Sequence, residues 1–219
     1  IDIGIDYTDV NIVYAAMWQR VRPPNVSSTG GLTSGLYRSS NAGQNWTLLG
    51  TTNGLPAPSA TTGRININVS RANSSNVYAI YKTTSGNNIS GVYKSTNKGL
   101  NWTSLPITGV NSSGFDWYFG LIETDPSNSN TLYIGSVDVF RTTNNGTSWT
   151  NLTNAYSGTF DQQHPDQHAL WISPTNGQLL IGGNDGGIFI STNGGTNWSK
   201  KYELPISQYY AGCIDFLNP

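Results

Sequence analysis

The chain has 219 residues, of which only 11% are charged, and its formal net charge is −1. Its polarity comes from Asn, Ser, Thr and Gly, while 11% aromatic residues supply groups to bury, so the composition excludes a disordered chain. The sequence has no basic run, no acidic tail and no apolar stretch near the roughly 20 residues that span a bilayer, so we expect neither a nucleic-acid partner nor membrane insertion.

Short strand-like runs return along the chain with a period of roughly 50 residues. Each unit contains an apolar run, read in order as IVYAAM, NVYAIY, TLYIGS and QLLIGG, and a later run, read as GLYRS, GVYKS, VFRT and GIFIS. These runs alternate branched or aromatic residues with polar ones, which is the pattern of a partly buried sheet. Several short strands in a repeat of this length predict a four-stranded blade of a β-propeller.

A turn motif, Ser/Thr-x-Asn-x-Gly-x-x-Trp, follows the second run of each unit. The residues that define it in the four copies are Asn41, Gly43, Trp46, Asn97, Gly99, Trp102, Asn144, Gly146, Trp149, Asn193, Gly195 and Trp198. We expect the Asn to tolerate a left-handed backbone and to bond its side chain to nearby amides, and the Gly to supply a positive φ. The first hydroxyl should bond across the turn and the Trp should pack back over the hairpin. We interpret the motif as a clasp between the third and fourth strands, far from the central channel, and not as a ligand site.

The four motifs resemble the Asp-box, or bacterial neuraminidase, repeat, with Asn replacing the usual Asp in every copy. Further segments resemble secreted sortilin-like propellers, which are often labelled glycosyl hydrolases; these segments are 13–22, 63–79, 117–135, 164–174 and 183–189. The resemblance covers essentially the whole chain. It implies an all-β fold and a place in a ring of seven to ten blades.

The repeat divides the chain into four blades and part of a fifth. The blades span approximately 1–50, 64–106, 115–153 and 164–202, and 207–219 is predicted to be the first strand of a further blade. An unpaired first strand would leave an exposed edge, which closed rings avoid. We therefore expect the remaining blades of the same propeller to be partners of this segment.

One cluster of ionisable residues lies in the fourth unit. His164, Asp166 and His168 would project to one face if this stretch were extended, and Asp185 follows in a hairpin. Two imidazoles and a carboxylate are plausible transition-metal ligands, but the spacing of about 6.6 Å between alternate Cα atoms is wide for one ion. We therefore favour a polar network beside the central channel, without a metal or another cofactor.

Other residues could serve catalysis or sugar binding. The carboxylates Asp116, Asp166 and Asp185 are candidates for the pair that glycoside hydrolysis needs. Trp117 and Tyr118 lie outside the turn motifs and could stack on a sugar ring.

The arginines provide weaker evidence for a functional site. Arg38 and Arg141 share a repeat position with Lys94, so we interpret them as structural. Arg20, Arg22 and Arg64 remain, and no sequence argument brings them together.

These observations favour an extracellular or cell-surface recognition or scaffold module that binds a protein or glycan, with no catalysis in this segment. Ten Asn-x-Ser/Thr sequons fit an exported protein, although the Asn-rich composition accounts for many of them. The alternative is a polysaccharide-active glycoside hydrolase with carboxylates in a cleft on the propeller face. A third possibility is a structural domain of an adhesin or fibre.

Overall fold

A computed structural model describes residues 1–23, 27–86, 88–111, 114–156 and 163–203. Within these ranges the chain forms sixteen strands and one 3-10 turn, Thr51–Asn53, and contains no α-helix. The strands make four antiparallel four-stranded sheets, as the repeat predicts. Over the same ranges, no helix has the length and apolar character needed to cross a bilayer. The segment 207–219, predicted to be a fifth first strand, lies outside the described residues.

Each sheet takes its strands in chain order. The first sheet contains β1 (Asp2–Ile5), β2 (Val13–Met17), β3 (Gly35–Ser39) and β4 (Thr47–Leu49). The second contains β5 (Thr62–Val69), β6 (Val77–Thr83), β7 (Ile89–Ser95) and β8 (Thr103–Leu105). The third contains β9 (Leu121–Thr124), β10 (Leu132–Gly135), β11 (Val139–Thr142) and β12 (Thr150–Asn151). The fourth contains β13 (Gln167–Ser173), β14 (Asn176–Asn184), β15 (Gly187–Ser191) and β16 (Ser199–Lys200).

Hydrophobic clusters fill the spaces between consecutive sheets. Tyr14 and Leu36 of the first sheet pack with Ala79 of β6, while Ile80 of the same strand packs with Ile134 of the third sheet. Neighbouring residues of a strand point to opposite faces, so β6 supplies both clusters and is buried on both sides. The first strands β1, β5, β9 and β13 consequently lie side by side along the inner edge of the array.

The four turn motifs share one hydrogen-bond pattern between the third and fourth strands. In the second sheet, the Ser95 hydroxyl donates to Asn97 Oδ1 over 2.9 Å and accepts the Gly99 N–H over 2.9 Å. Asn97 Oδ1 also accepts the Asn101 N–H over 2.9 Å. The same three bonds recur in the other copies. The motif is therefore a hairpin clasp, as predicted, and its residues border neither of the cavities described below.

Two expectations about this turn are wrong in detail. Two residues of each motif have a left-handed backbone, namely the residue directly after the Asn and the motif Gly. In the second sheet these are Lys98 (φ 56°) and Gly99 (φ 76°). The Asn side chain does bond to a nearby amide, as predicted, while the chain reversal falls on the next two residues. Nor do all the tryptophans close over their own hairpin. The Trp149 indole donates to Pro106 O over 2.9 Å, and the Trp198 indole donates to Leu152 O over 3.1 Å. Both acceptors directly follow the last strand of the preceding sheet.

A second set of side chains also connects each sheet to the next turn motif. The long cationic residue of the third strand donates to the fourth residue of the next motif in three places, which are Arg38 to Lys98 O, Lys94 to Asn145 Oδ1 and Arg141 to Gly194 O. These bonds agree with the structural role predicted for this repeat position. The motif therefore holds neighbouring sheets together as well as closing its own hairpin.

We expect Trp198→Phe to destabilise the chain by about 1–2 kcal/mol, because the indole is 7% exposed and its hydrogen bond to Leu152 O is lost. Trp46 occupies the same motif position in the first sheet but is 42% exposed, so Trp46→Phe should change stability by less than about 0.5 kcal/mol. Urea unfolding of both variants measures the difference. Equal losses would contradict an inter-sheet role for the motif tryptophan.

Candidate functional site

The larger cavity, about 590 Å³, runs along the inner strands. Its polar lining comes from consecutive first strands, with Asp2 on β1, Asn66 and Asn68 on β5, Glu123 on β9 and His168 on β13. These residues are distant in sequence and meet because the first strands lie side by side. The exposed ring of Trp171, on β13, borders the same cavity.

Asparagine side chains orient the carboxylates of this cavity. Asn66 Nδ2 donates to Asp2 Oδ2 over 3.2 Å, and the Ile67 N–H donates to the same oxygen over 3.0 Å. Asn68 Nδ2 donates to Glu123 Oε2 over 2.8 Å. Each bond joins two sheets, so the positions of both carboxylates depend on the packing between blades.

Glu123 is the carboxylate with the most altered acidity. Burial raises its pKa to about 7, and the nearby Asp2 charge adds to that rise, while the Asn68 bond and Arg71 oppose it. A carboxyl with this pKa is partly protonated at neutral pH and can donate a hydrogen bond or a proton. The cavity therefore contains one carboxyl group that is partly protonated, that of Glu123, and a second carboxyl group, that of Asp2.

A smaller cavity of about 210 Å³ adjoins the larger one and shares Arg64 with it. It is lined by Ile1, Trp18, Arg20, Arg22, Arg64, Trp117 and Tyr118. The three arginines that no sequence argument could connect therefore border one pocket. Trp117 and Tyr118, the predicted aromatic candidates, lie together there, with ring centroids 5.4 Å apart.

Cation–π contacts hold two of these arginines in place. The Arg20 guanidinium carbon lies 5.0 Å from the Trp117 ring centroid, and the Arg64 guanidinium carbon lies 5.7 Å from the Trp18 ring centroid. Arg20 Nη1 also donates to Ser28 O over 2.7 Å. The two guanidinium groups are thus held by contacts within the protein.

Only part of the predicted histidine cluster forms. His168 Nε2 lies 2.7 Å from Asp185 Oδ1, and the His168 ring packs edge-on against Tyr118 with centroids 5.5 Å apart. Asp166 has a left-handed φ of 71° and precedes β13, so the extended conformation assumed for 164–168 is wrong. His164 Nδ1 lies 2.9 Å from Pro165 O.

The four residues share an electrostatic environment but make no metal site. Burial and Asp185 raise the pKa of Asp166, while His164 and His168 lower it. Across the described ranges, which include all four, no three His, Cys, Asp or Glu residues are placed to hold a metal ion. His168 borders the larger cavity, whereas His164 and Asp166 border neither.

Asp116, the remaining carboxylate candidate, is fully buried and accepts a hydrogen bond from the Ser136 hydroxyl. It borders neither cavity. Its neighbour in sequence, Trp117, which the sequence analysis also names as a candidate, does line the smaller cavity. Asp116 misses both cavities because it turns inward to the Ser136 hydroxyl at the end of the third sheet.

Lys82 is a buried lysine that bonds to Asn66, a lining residue of the larger cavity. Its Nζ donates to Phe119 O over 2.6 Å and to Asn66 Oδ1 over 3.1 Å, so it ties the loop that carries Trp117 and Tyr118 to β5. Burial is the largest cause that lowers the pKa of Lys82 to about 7, and Arg64 lowers it further.

Sequence reasoning missed Asp2, Glu123, Asn66, Asn68 and Lys82. The available signal was positional, because the first four occupy first strands, which lie side by side and line the larger cavity. Lys82 gave a weaker signal, as a lone cation within the apolar run of β6.

No protein-family model and no curated protein matches the chain. Solved structures do match it. An ancestral GH74 enzyme is 21% identical with a TM-score of 0.57, over 90% of this chain and 23% of that one. The GH74 xyloglucanase from Xanthomonas campestris is 17% identical with a TM-score of 0.56, over 89% and 28%. YCF48 from Cyanidioschyzon merolae is 13% identical with a TM-score of 0.51, over 94% and 58%.

These likenesses define the class of fold, which is a β-propeller of four-stranded antiparallel blades. The chain spans about a quarter of the length of the two GH74 enzymes. At this level of identity the comparison extends to fold alone, because propellers with different activities share the same blades.

Proposed function

We propose that the chain is the ligand-binding part of an extracellular recognition propeller, and that its ligand is a glycan held along the inner strands. The observation that carries this proposal is the composition of the larger cavity. Paired amide and carboxylate groups line it beside an exposed tryptophan, and such groups bond to hydroxyls while the ring stacks on a sugar face.

The repeat supports a place in a larger Asp-box propeller similar to the sortilin-like proteins. Ile3 and Ile5 of β1 are 63% and 50% exposed, whereas Ile65 and Ile67 of β5 are buried against the first sheet. We propose that a further blade of the same ring covers the exposed face of β1, in a propeller of seven to ten blades. The ten sequons support secretion or display at the cell surface.

A glycoside hydrolase is the second candidate, and one observation favours it. Glu123, with its pKa near 7, and Asp2 line the same cavity, and glycoside hydrolysis needs a protonated acid and an ionised carboxylate. Glu123 would then protonate the leaving oxygen, while Asp2 would activate water or attack the sugar. The solved GH74 xyloglucanase makes xyloglucan a sensible substrate to include in a test.

Calorimetry tests the recognition proposal. It measures whether the 219-residue chain binds xyloglucan, polygalacturonate or methyl-esterified pectin. We expect Trp171→Ala, which removes a ring that is 49% exposed in the cavity, to weaken binding of the recognised glycan by at least about tenfold. Tyr156→Ala is the matched control, since Tyr156 is 74% exposed and borders neither cavity. Loss of binding in both variants, or in neither, would count against the inner-strand site.

The same polysaccharides separate recognition from hydrolysis. Release of reducing ends by the unaltered chain, abolished in Glu123→Gln with binding retained, would establish the hydrolase. Binding without release would favour the recognition module. If none of the polysaccharides binds, the glycan proposal is wrong.

A further inference from the structure

Four asparagines of this chain are each followed directly by a glycine. The pairs are Asn53–Gly54, Asn145–Gly146, Asn176–Gly177 and Asn193–Gly194. In such a pair the glycine nitrogen can attack the asparagine side-chain amide, because glycine has no side chain to hinder the approach and adopts backbone conformations closed to other residues. A glycine N–H that already donates a hydrogen bond must break that bond first, so the fold decides which pair reacts.

In three of the pairs the glycine N–H is engaged. It donates over 2.9–3.1 Å to an acceptor close by in the fold, and these bonds are Gly54 to Thr51 O, Gly146 to Thr142 Oγ1 and Gly194 to Gln178 O. The second bond belongs to the hairpin clasp of its turn motif, and the first closes the 3-10 turn. Attack by any of these nitrogens would therefore open a folded turn as well as break a hydrogen bond.

The pair Asn176–Gly177 has a different environment. Asn176 is exposed and begins β14, directly after the turn that follows β13. The pairing of the two strands skips the glycine, because Asn176 pairs with Ser173 while the next paired residue of β14 is Leu180. Gly177 thus has no partner in the described ladder between β13 and β14, and its nitrogen can approach the neighbouring side chain without opening that ladder.

We infer that Asn176 is the site of spontaneous deamidation in the folded chain, with water as the co-reactant. Gly177 N bonds to Asn176 Cγ, and the bond from Cγ to the side-chain nitrogen breaks. That nitrogen leaves as ammonia with the proton from Gly177 N. Water then opens the resulting cyclic imide at either carbonyl, which yields aspartate or isoaspartate. Both products carry a new negative charge, and isoaspartate also places the side-chain methylene in the main chain.

This modification acts on a hairpin that borders the larger cavity. Asn176 Oδ1 accepts the Gln178 N–H over 3.1 Å, and the opposite strand β13 carries His168 and Trp171, which line that cavity. A main chain lengthened at residue 176 changes how β14 pairs with the strand that holds both lining residues. The assignment of the modified residue does not depend on the proposed glycan function.

Peptide mapping by mass spectrometry, after incubation of the 219-residue chain at pH 8, measures conversion at all four asparagines. We expect Asn176 to react at least about tenfold faster than each of the others, because their glycines must first lose a hydrogen bond. In urea that unfolds the chain, the four rates should lie within about threefold of one another, since each pair then consists of the same two residues without a fold around them.

Thr142→Val is the matched variant, because it removes the hydroxyl that accepts the Gly146 N–H and keeps a side chain of similar shape. Asn145 should then react about fivefold faster, while Asn176 keeps its rate. An unchanged rate at Asn145 would contradict protection by hydrogen bonding, on which the assignment rests. The inference is overturned if another pair reacts fastest in the folded chain, if all four react equally there, or if Asn176 reacts only in urea.

Discussion

Replacing Gly146 by alanine should destabilise the chain by about 3 kcal/mol, whereas the same change at Gly109 should cost about 1 kcal/mol. Both glycines have left-handed backbones, with φ of 82° and 87°, so the backbone cost is equal. They differ in what a methyl group would meet. At Gly146 it would lie 2.5 Å from Pro106 O of the preceding sheet, whereas at Gly109 it would meet nothing within 4 Å.

Chemical unfolding of the two alanine variants therefore isolates the contact between a turn motif and its neighbouring sheet. Gly146 has its special conformation because the hairpin reverses there, and it has no side chain because the second sheet approaches it. Equal destabilisation of the two variants would mean that the motif closes its hairpin without bracing the next blade.

The second large effect is a rise in stability with pH that depends on Lys82. The pKa of this lysine is lowered from 10.5 to about 7 in the folded chain, mainly by burial. Between these values the unfolded chain binds a proton that the folded chain does not, so raising the pH favours the folded state. We expect the free energy of unfolding to increase by about 1 kcal/mol from pH 8 to pH 9.

Between pH 8 and pH 9, groups whose titration would lower the free energy of unfolding contribute little. Glu123, whose pKa is raised to about 7, loses its contribution as the pH rises through that value, and little of the change remains above pH 8. Tyr14 and Tyr78, whose pKa values are raised to about 12, lose theirs only above the unfolded value of about 10.

Urea unfolding at pH 8 and pH 9 measures the rise. In Lys82→Met the dependence should disappear, because the titrating group is gone, while the exposed Lys201→Met should retain it. A rise that persists in Lys82→Met would assign the effect to another group. A flat profile in the unaltered chain would show that Lys82 keeps its proton when folded.

The sequence alone determined the blades, because the information for them is local. The four turn motifs predicted the hairpins between third and fourth strands, and the alternation of apolar residues predicted the sheets. Each of these features depends on residues within one hairpin or on a neighbouring strand, so the repeat reveals it directly. The positive φ of the motif glycines follows from the same local requirement.

Only the tertiary structure decided which side chains meet across blades. Arg20, Arg22 and Arg64 come from two sheets, and Asp2 and Glu123 come from the first and third, yet each set borders one cavity. Asp2 and Glu123 occupy the same positions in their first strands as Asn66 and Asn68, but the residue type changes from blade to blade, so no repeated letter marks them in the sequence. They converge because the apolar faces of successive sheets pack against each other, which places the first strands side by side. The polar residues of these strands then line the same cavity.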